Sequence, residues 1–496
     1  MAEALVVRSP AETLDRIATA FLFLLVLALP ASITATHIAY AAAALAWLAH
    51  LALVRRGVLH RSPLDFPILI YWLLCTLSAS LSTVPGLSWE GMRKVGLVFL
   101  VLVVAHNIPT LRRAKQLVAV LLLAGLASVA YTGWQYAAGI GLRVRHVEPD
   151  TTFYRAGIRA NDILLRVDGR LIRQPEAFLA HLRTKPSDEP LRLRVVHGEG
   201  DPVEIMVLAA ERPPQMFGDT LGMHSARARP YRAQGFYSHY TTYAEVLQLL
   251  AALAFGFWLA CRRPFALAGL RLFALWLAFA VALGATLTRA AWLAVAVACL
   301  VMLWFHLRQR WVRVLLPVAL LLTALGTDAA MRQWRGVGLI DPREPSTDYR
   351  LLMWRDGLRL IGDHPWFGVG MNVIRDYWWQ FDLAAYQKYG FRHHFHSTPI
   401  QLAVDLGLPV LAAWLALMGV YWLLLAKLVP RARAPAGRGA QADPTLYGLT
   451  LGILGGTSGF LASSLVHYNF GDSEAVLLFW FLAGVALALR RHLTPP

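Results

Sequence analysis

Apolar stretches of about 20 residues, each long enough to cross a bilayer as a helix, recur from one end of this chain to the other. They fall at about 16–34, 37–54, 65–83, 92–108, 115–136, 241–261, 267–287, 290–307, 312–328, 398–426, 446–467 and 473–490, which makes twelve expected spans. A chain of 496 residues with 57% apolar and 16% charged side chains has the composition of a polytopic helical membrane protein and excludes an ordinary soluble domain. The formal charge of +17 would suggest nucleic acid in a soluble protein. Here its placement reads as topology, and no nucleic-acid partner is expected. With the N-terminus inside, the short basic connections VRRGVLHR (54–61), TLRRAKQ (110–116), CRRPFALAGLR (261–271), LRQRWVR (307–313) and VPRARAPAGRGAQ (429–441) and the tail RRH (490–492) all fall on the cytoplasmic side.

The first span, FLFLLVLALPASITATH, has a small-residue end like a signal peptide, but the next span follows at once and an uncleaved hairpin is expected. Cys75, Cys261 and Cys299 lie in or at the ends of spans and read as apolar fillers. The chain therefore divides into spans one to five (1–136), an outer module (137–212), a linker with spans six to nine (213–328), an outer loop (329–397) and the last three spans (398–496).

The module carries alternating runs (LRVRHV, DILLRVDG, LRLRVV, VEIMVLA) that read as strands, and PEAFLAHLRT, with Pro at its start, reads as a helix. The stretch Ala156-Gly157-Ile158, Asn161-Asp162-Ile163-Leu164, Val167-Asp168-Gly169 resembles the core of a PDZ domain. That resemblance implies that Gly139, Ile140, Gly141 and Leu142 form a carboxylate-binding loop, with a peptide or protein C-terminus as partner adding as a strand. A spacer with an unused groove is the plain alternative. A PDZ module beside spans also raises intramembrane proteolysis, but no HExxH motif occurs and GGTSG (455–459) has the wrong spacing for a serine elbow. A transporter would place charges in mid-span; Glu245 and Asp405 are the only clear acidic candidates, both nearer the outer ends, and no internal repeat is evident.

The second outer segment mixes arginines at 350, 355, 359, 375 and 392 with many aromatics, and ends in FRHHFHS. A helix is expected over about 348–362, with Asp348 placed to cap it. Guanidinium forks match phosphate oxygens, and aromatic faces suit sugar rings or a membrane interface. Three histidines within four positions could bind zinc, but no second ligand cluster is evident and none is expected.

The segments TLTRAAWLAVAVACLVM (286–302), DYRLLMWRDGLRLIGDHPWFGVGMN and HHFHSTPIQLAVDLG resemble the O-antigen ligase and polymerase superfamily. His396-Ser397, nine residues and then Gly407 fit the ligase pattern, whereas Val410 departs from the Gly, Thr or Tyr that the pattern carries. The resemblance implies a GT-C-like membrane glycosyltransferase of about twelve helices in the bacterial inner membrane, with both termini cytoplasmic and the PDZ-like module and catalytic loop periplasmic. It implies inverting transfer of a glycan from undecaprenyl diphosphate to a lipid A-core or other hydroxyl acceptor, with no cofactor. His396 would be the general base, Arg289 and Arg350 would grip the diphosphate, and Arg355, Arg232, His239 and His394 would line the substrate cavity. Polysaccharide polymerase and protein O-glycosyltransferase are the alternatives within the class; a transporter and a PDZ-bearing scaffold stand outside it.

Overall fold

The structure, a computed structural model, describes the chain apart from residues 1–8, 55–59, 150, 187, 198–201, 209–221, 337, 339–340, 342–343, 391–393, 435–442 and 494–496. It separates into two compact units, one of Met1–Ser128 with Phe236–Pro496 and one of Val129–Gly235.

The helical unit begins with α1 (Pro10–Ala28), α2 (Ile33–Val54), α3 (Asp65–Leu81), α4 (Pro85–Val95), α5 (Leu100–His106) and α6 (Leu111–Ala138), the last running on into the other unit. Ser9 and Glu12 form a reciprocal capping box that starts α1. After the inserted unit come α9 (Tyr240–Ala260), α10 (Leu267–Ala285), α11 (Arg289–His306) and α12 (Arg310–Arg335). The segment that follows α12 supplies α13 (Pro345–Asp363), α14 (Val373–Tyr377) and α15 (Ala384–Tyr389); α16 (Thr398–Leu406), α17 (Leu408–Arg433), α18 (Pro444–Ser464) and α19 (Ser473–Leu493) close the chain. Among the described residues, eight helices are long and apolar enough to cross a membrane: α2, α6, α9, α10, α11, α17, α18 and α19. The protein is a multi-pass membrane protein. The helix α3 is apolar but has only 17 residues, and the span expected at 92–108 is interrupted by a 3₁₀ turn at Gly96–Phe99. Glycines let α9 and α18 approach closely, since a Cβ on Gly256 would come within 2.5 Å of the Gly448 carbonyl oxygen.

The single span expected at 398–426 is two helices. Gly407 breaks it at φ +87, and a Cβ there would meet the Trp366 carbonyl oxygen at 2.3 Å. The break lets the chain from His364 to Gly370 stitch onto the end of α16: Val369 N–H donates to Val404 O at 2.8 Å, Gly370 N–H to Asp405 O at 3.0 Å, and Leu408 N–H to Pro365 O at 2.8 Å.

The inserted unit is a PDZ-like module. Its elements are β1 (Gly141–Val147), α7 (Thr152–Arg155), β2 (Ile163–Val167), β3 (Arg170–Leu171), α8 (Pro175–Thr184), β4 (Leu191–Val196), β5 (Pro202–Val207) and β6 (Met223–Ala228). The antiparallel sheet runs β5-β4-β2-β1-β6, with β3 hairpinned on β2. Leu142, Val144, Phe153, Leu164, Phe178 and Val195 lead its buried core, drawn from alternate strand positions and the inner face of α8. The sixth strand lies beyond residue 212, in a stretch the sequence reads as linker.

Candidate functional site

The segment between α12 and α16 folds with α16 onto its own small core of Met353, Leu360, Val369, Tyr386, Phe395 and Val404. The loop helix starts at Pro345, three residues earlier than expected, with Glu344 as its N-cap residue. Asp348 therefore does not cap it. Its carboxylate instead accepts from Lys388 Nζ at 2.7 Å and Tyr389 Oη at 2.6 Å, tying α13 to α15.

His396 stands just before α16 with φ at +49, a left-handed conformation uncommon for a residue with a side chain and one found where local strain is maintained by the surroundings. Its N–H donates to His394 Nδ1 at 3.1 Å, and the two rings lie 4.3 Å apart edge to face. The Tyr349 ring of α13 covers His396 from another side at 5.6 Å. A third imidazole, His467 from the loop between α18 and α19, closes the group at 5.5 Å from His394 and 6.0 Å from His396. One nitrogen from each of the three rings lies within 4.8 Å of the others, close enough to converge on a metal ion or to exchange protons. The sequence offered no second set of ligands for His394; the fold brings His467 from about 70 residues away. His393 and Arg392 lie outside the described residues.

Hydrogen bonds fix this arrangement from below. Thr398 Oγ1 donates to the His467 carbonyl at 3.2 Å and lies 3.1 Å from Asn469 Oδ1, while Asn469 Nδ2 donates to Phe460 O at 2.8 Å. The buried Gln401 accepts from Phe395 N–H at 2.8 Å and donates to Asp405 at 2.9 Å, so Asp405 supports the backbone beside His396 through one amide. Burial raises the Asp405 carboxyl to about 7, against the opposing pull of Gln401 and Lys94.

His467 Nδ1 lies 2.6 Å from Glu245 Oε1 of α9, at an angle too oblique for a hydrogen bond. Burial pushes the His467 imidazole down; Asp472 opposes this, and Arg350 and His239 push the same way as burial.

Of the residues singled out in the sequence, His394, His396 and His239 share one neighbourhood with Arg350. The electrostatic influence on His467 places Arg350 and His239 there, and Arg350 follows Tyr349 on α13. His239 also starts α9 as its N-cap residue. Arg289 is ion-paired to Glu344, the residue that begins the helix carrying Arg350. Arg355 is exposed and, five residues on from Arg350, points about 140° around the helix from it. Arg232 belongs to the other compact unit. Arg359 is committed to the carbonyl of Asp382, and Arg375 to Asp376. The structure adds His467, Glu245 and Gln401, none of which the sequence reading placed in the site.

Beside His394 opens a cavity of ≈ 300 Å³, whose polar lining includes Lys94, Arg375 and Asp472 and whose apolar lining includes Tyr71 and Trp480. The lining is of mixed charge, since Asp405 and Asp472 face the same cavity as Lys94 and Arg375, and Arg375 is already paired with Asp376.

The fold and site define a polytopic helical membrane protein with an inserted PDZ-like module and a histidine cluster formed where the segment before α16 meets the connection between α18 and α19. Residues 273–415 match the family model described as O-antigen ligase, and residues 143–196 match the PDZ domain model. Both resemblances read from the sequence are borne out, and the first supports an O-antigen ligase-type membrane enzyme. The chain is also 39% identical over 59 residues to the magnetosome formation protease MamE of Magnetospirillum gryphiswaldense, which is 12% of this chain and 8% of that protein. The chain thus spans less than a tenth of that relative's length.

Proposed function

We propose that this protein is an inner-membrane glycosyltransferase that moves a glycan from undecaprenyl diphosphate to an acceptor hydroxyl, as an O-antigen ligase acting on lipid A-core. The observation that carries this reading is His396, held at positive φ in contact with His394, His467 and Tyr349 within a segment matching the O-antigen ligase family. The acceptor oxygen attacks the anomeric carbon from the face opposite the diphosphate; the new C–O bond forms as the bond to the phosphate oxygen breaks, inverting the centre. The acceptor proton passes to His396, and the electron pair leaves with the lipid diphosphate. Arg350 neutralises the charge that grows there, and no metal ion is required. His467, with Glu245 behind it, packs against His396 and fixes the ring that takes the proton. In this reading the donor keeps its tail in the bilayer with its diphosphate at headgroup depth, the outer loop and the PDZ-like module face the periplasm, and both termini are cytoplasmic. Arg289 reaches the diphosphate by exchanging Glu344 for it.

Val410, where the ligase pattern carries Gly, Thr or Tyr, keeps polysaccharide polymerisation as the second reading. Reconstitution of the purified protein with carrier-linked glycan and lipid A-core separates the two. Glycan-bearing lipid A-core establishes the ligase, and longer carrier-linked chains establish the polymerase. No product from either would overturn both and leave protein acceptors to be tried. The His396→Ala variant is expected to lose transfer by about 10²–10⁴-fold, and retention of full activity would refute the assignment of His396 as the base.

A further inference from the structure

In the PDZ-like module, a peptide whose C-terminus is held by the Gly139–Leu142 loop must run antiparallel to β1, because that loop lies at the start of β1. An extended peptide adding to a sheet needs an unpaired strand edge. Yet β1 has no such edge: β2 occupies one side and β6 the other. The strand β6 runs antiparallel to β1, from Met223 opposite Val147 to Ala228 opposite Gly141, and α8 packs against it. Its last residue reaches the loop itself, where Ile140 N–H donates to the Ala228 carbonyl at 2.9 Å. A Cβ on Gly139 would come within 2.6 Å of Arg227 Cγ and 3.0 Å of Ala228 O, so the loop is closed around this strand end. At the other end Glu148 N–H donates to Gly222 O at 2.7 Å. Met223 and Ala228 are buried while the residues between them are exposed or half-buried, so the strand is anchored at its two ends. The chain then leaves through Pro230, which has no N–H with which to extend a ladder.

We propose that Met223–Ala228 is the resident ligand of the PDZ-like groove. This segment takes the course a peptide C-terminus would take, and the Ala228 carbonyl occupies the place of a terminal carboxylate at Ile140. The module therefore clasps the strand that leads on to α9, and an outside peptide gains the groove only by displacing it. A tethered strand competes at an effective concentration on the order of millimolar, so a free peptide at micromolar concentration loses.

The test uses the full chain in detergent and a fluorescein-labelled peptide, Met-His-Ser-Ala-Arg-Ala with a free carboxylate, followed by anisotropy. The variant replaces residues 223–228 with an equally long Gly/Ser stretch. At least tenfold tighter binding to the variant than to the natural chain supports the resident ligand. Equal binding by both would show an open groove, and no binding by a variant whose β2 and β4 amides remain protected from hydrogen exchange would show that the segment is no groove ligand; either overturns the proposal. The natural chain gives an independent reading: the amides of β6 are expected to exchange as slowly as those of β2, and exchange at the rate of open chain overturns the proposal whatever the variant does.

Discussion

The PDZ-like module and the histidine cluster treat partly buried polar groups in opposite ways. In the module, Asp168 Oδ2 receives His181 Nε2 at 2.8 Å and Lys185 Nζ at 2.9 Å, and Oδ1 accepts from Arg192 N–H at 2.9 Å. Burial alone would raise this carboxyl, but the Arg192 amide, His181 and Lys185 outweigh it and bring it down to about 2. Both oxygens are answered, and the charge serves the fold. In the cluster, three imidazoles face one another, one of them at positive φ, and His467 meets Glu245 without a well-aligned bond. Polar groups maintained in strain and partial compensation mark a place where stability is given up for chemistry.

The sharpest way to break this contrast is to remove His467. Under the proposed mechanism His467→Ala slows transfer by roughly 100-fold, toward the lower end of what the base that it fixes contributes, and His467→Gln recovers part of the loss by refilling the space. Initial rates between pH 6 and 9 give the check; an unchanged rate in a folded variant would leave His467 as a packing residue only. The matching change in the module is Asp168→Ala, which strips His181, Lys185 and the Arg192 amide of a shared acceptor. It is expected to destabilise the module by about 2 kcal/mol while leaving transfer within about twofold. Hydrogen exchange of β2 and β4 in the full chain measures the first and product formation the second; a large loss of transfer with the module intact would tie the two regions together chemically.

The sequence made the module legible because its signals are local: strand alternation, the Pro-started helix and the Asn161-Asp162 and Asp168-Gly169 turns all lie within about 70 residues. Asn161 and Asp168 do adopt positive φ, as turns of that composition require. The sixth strand was hidden because MHSARA has no apolar alternation, its place being set by β1 and not by its own pattern. His396 was legible through its motif and its position before an apolar run. His467 was not, since VHYNFGD reads as an ordinary connection between two spans, and only the tertiary fold brings it to His394 and His396. Glu245 was weighed as a carrier's acidic group; its contact with His467 assigns it to the cluster instead. The break at Gly407 escaped because hydropathy continues smoothly across it, whereas the crowding against Trp366 that requires glycine is a tertiary fact.

Asp405 offers the finest test, because it lies between the two behaviours: hydrogen-bonded by Gln401 as a structural group would be, yet raised by burial as a functional group would be. An aspartate that titrates near 3.9 when unfolded and at about 7 when folded keeps a proton in the native state that the unfolded chain has lost between those values. Below both values the two states bind protons alike. As the pH rises through the window the native state is progressively disfavoured, and above about 7 the penalty is complete. Asp405→Asn removes the titration and keeps an oxygen for Gln401. Its thermal midpoint in detergent is expected to match the natural protein near pH 4 and to exceed it at pH 8 by on the order of 1 kcal/mol of stability, less than the full linkage value because the charged site can relax. A midpoint that differs by the same amount at both pH values would show that Asp405 is ionised throughout and acts only as the acceptor that fixes Gln401 beneath His396.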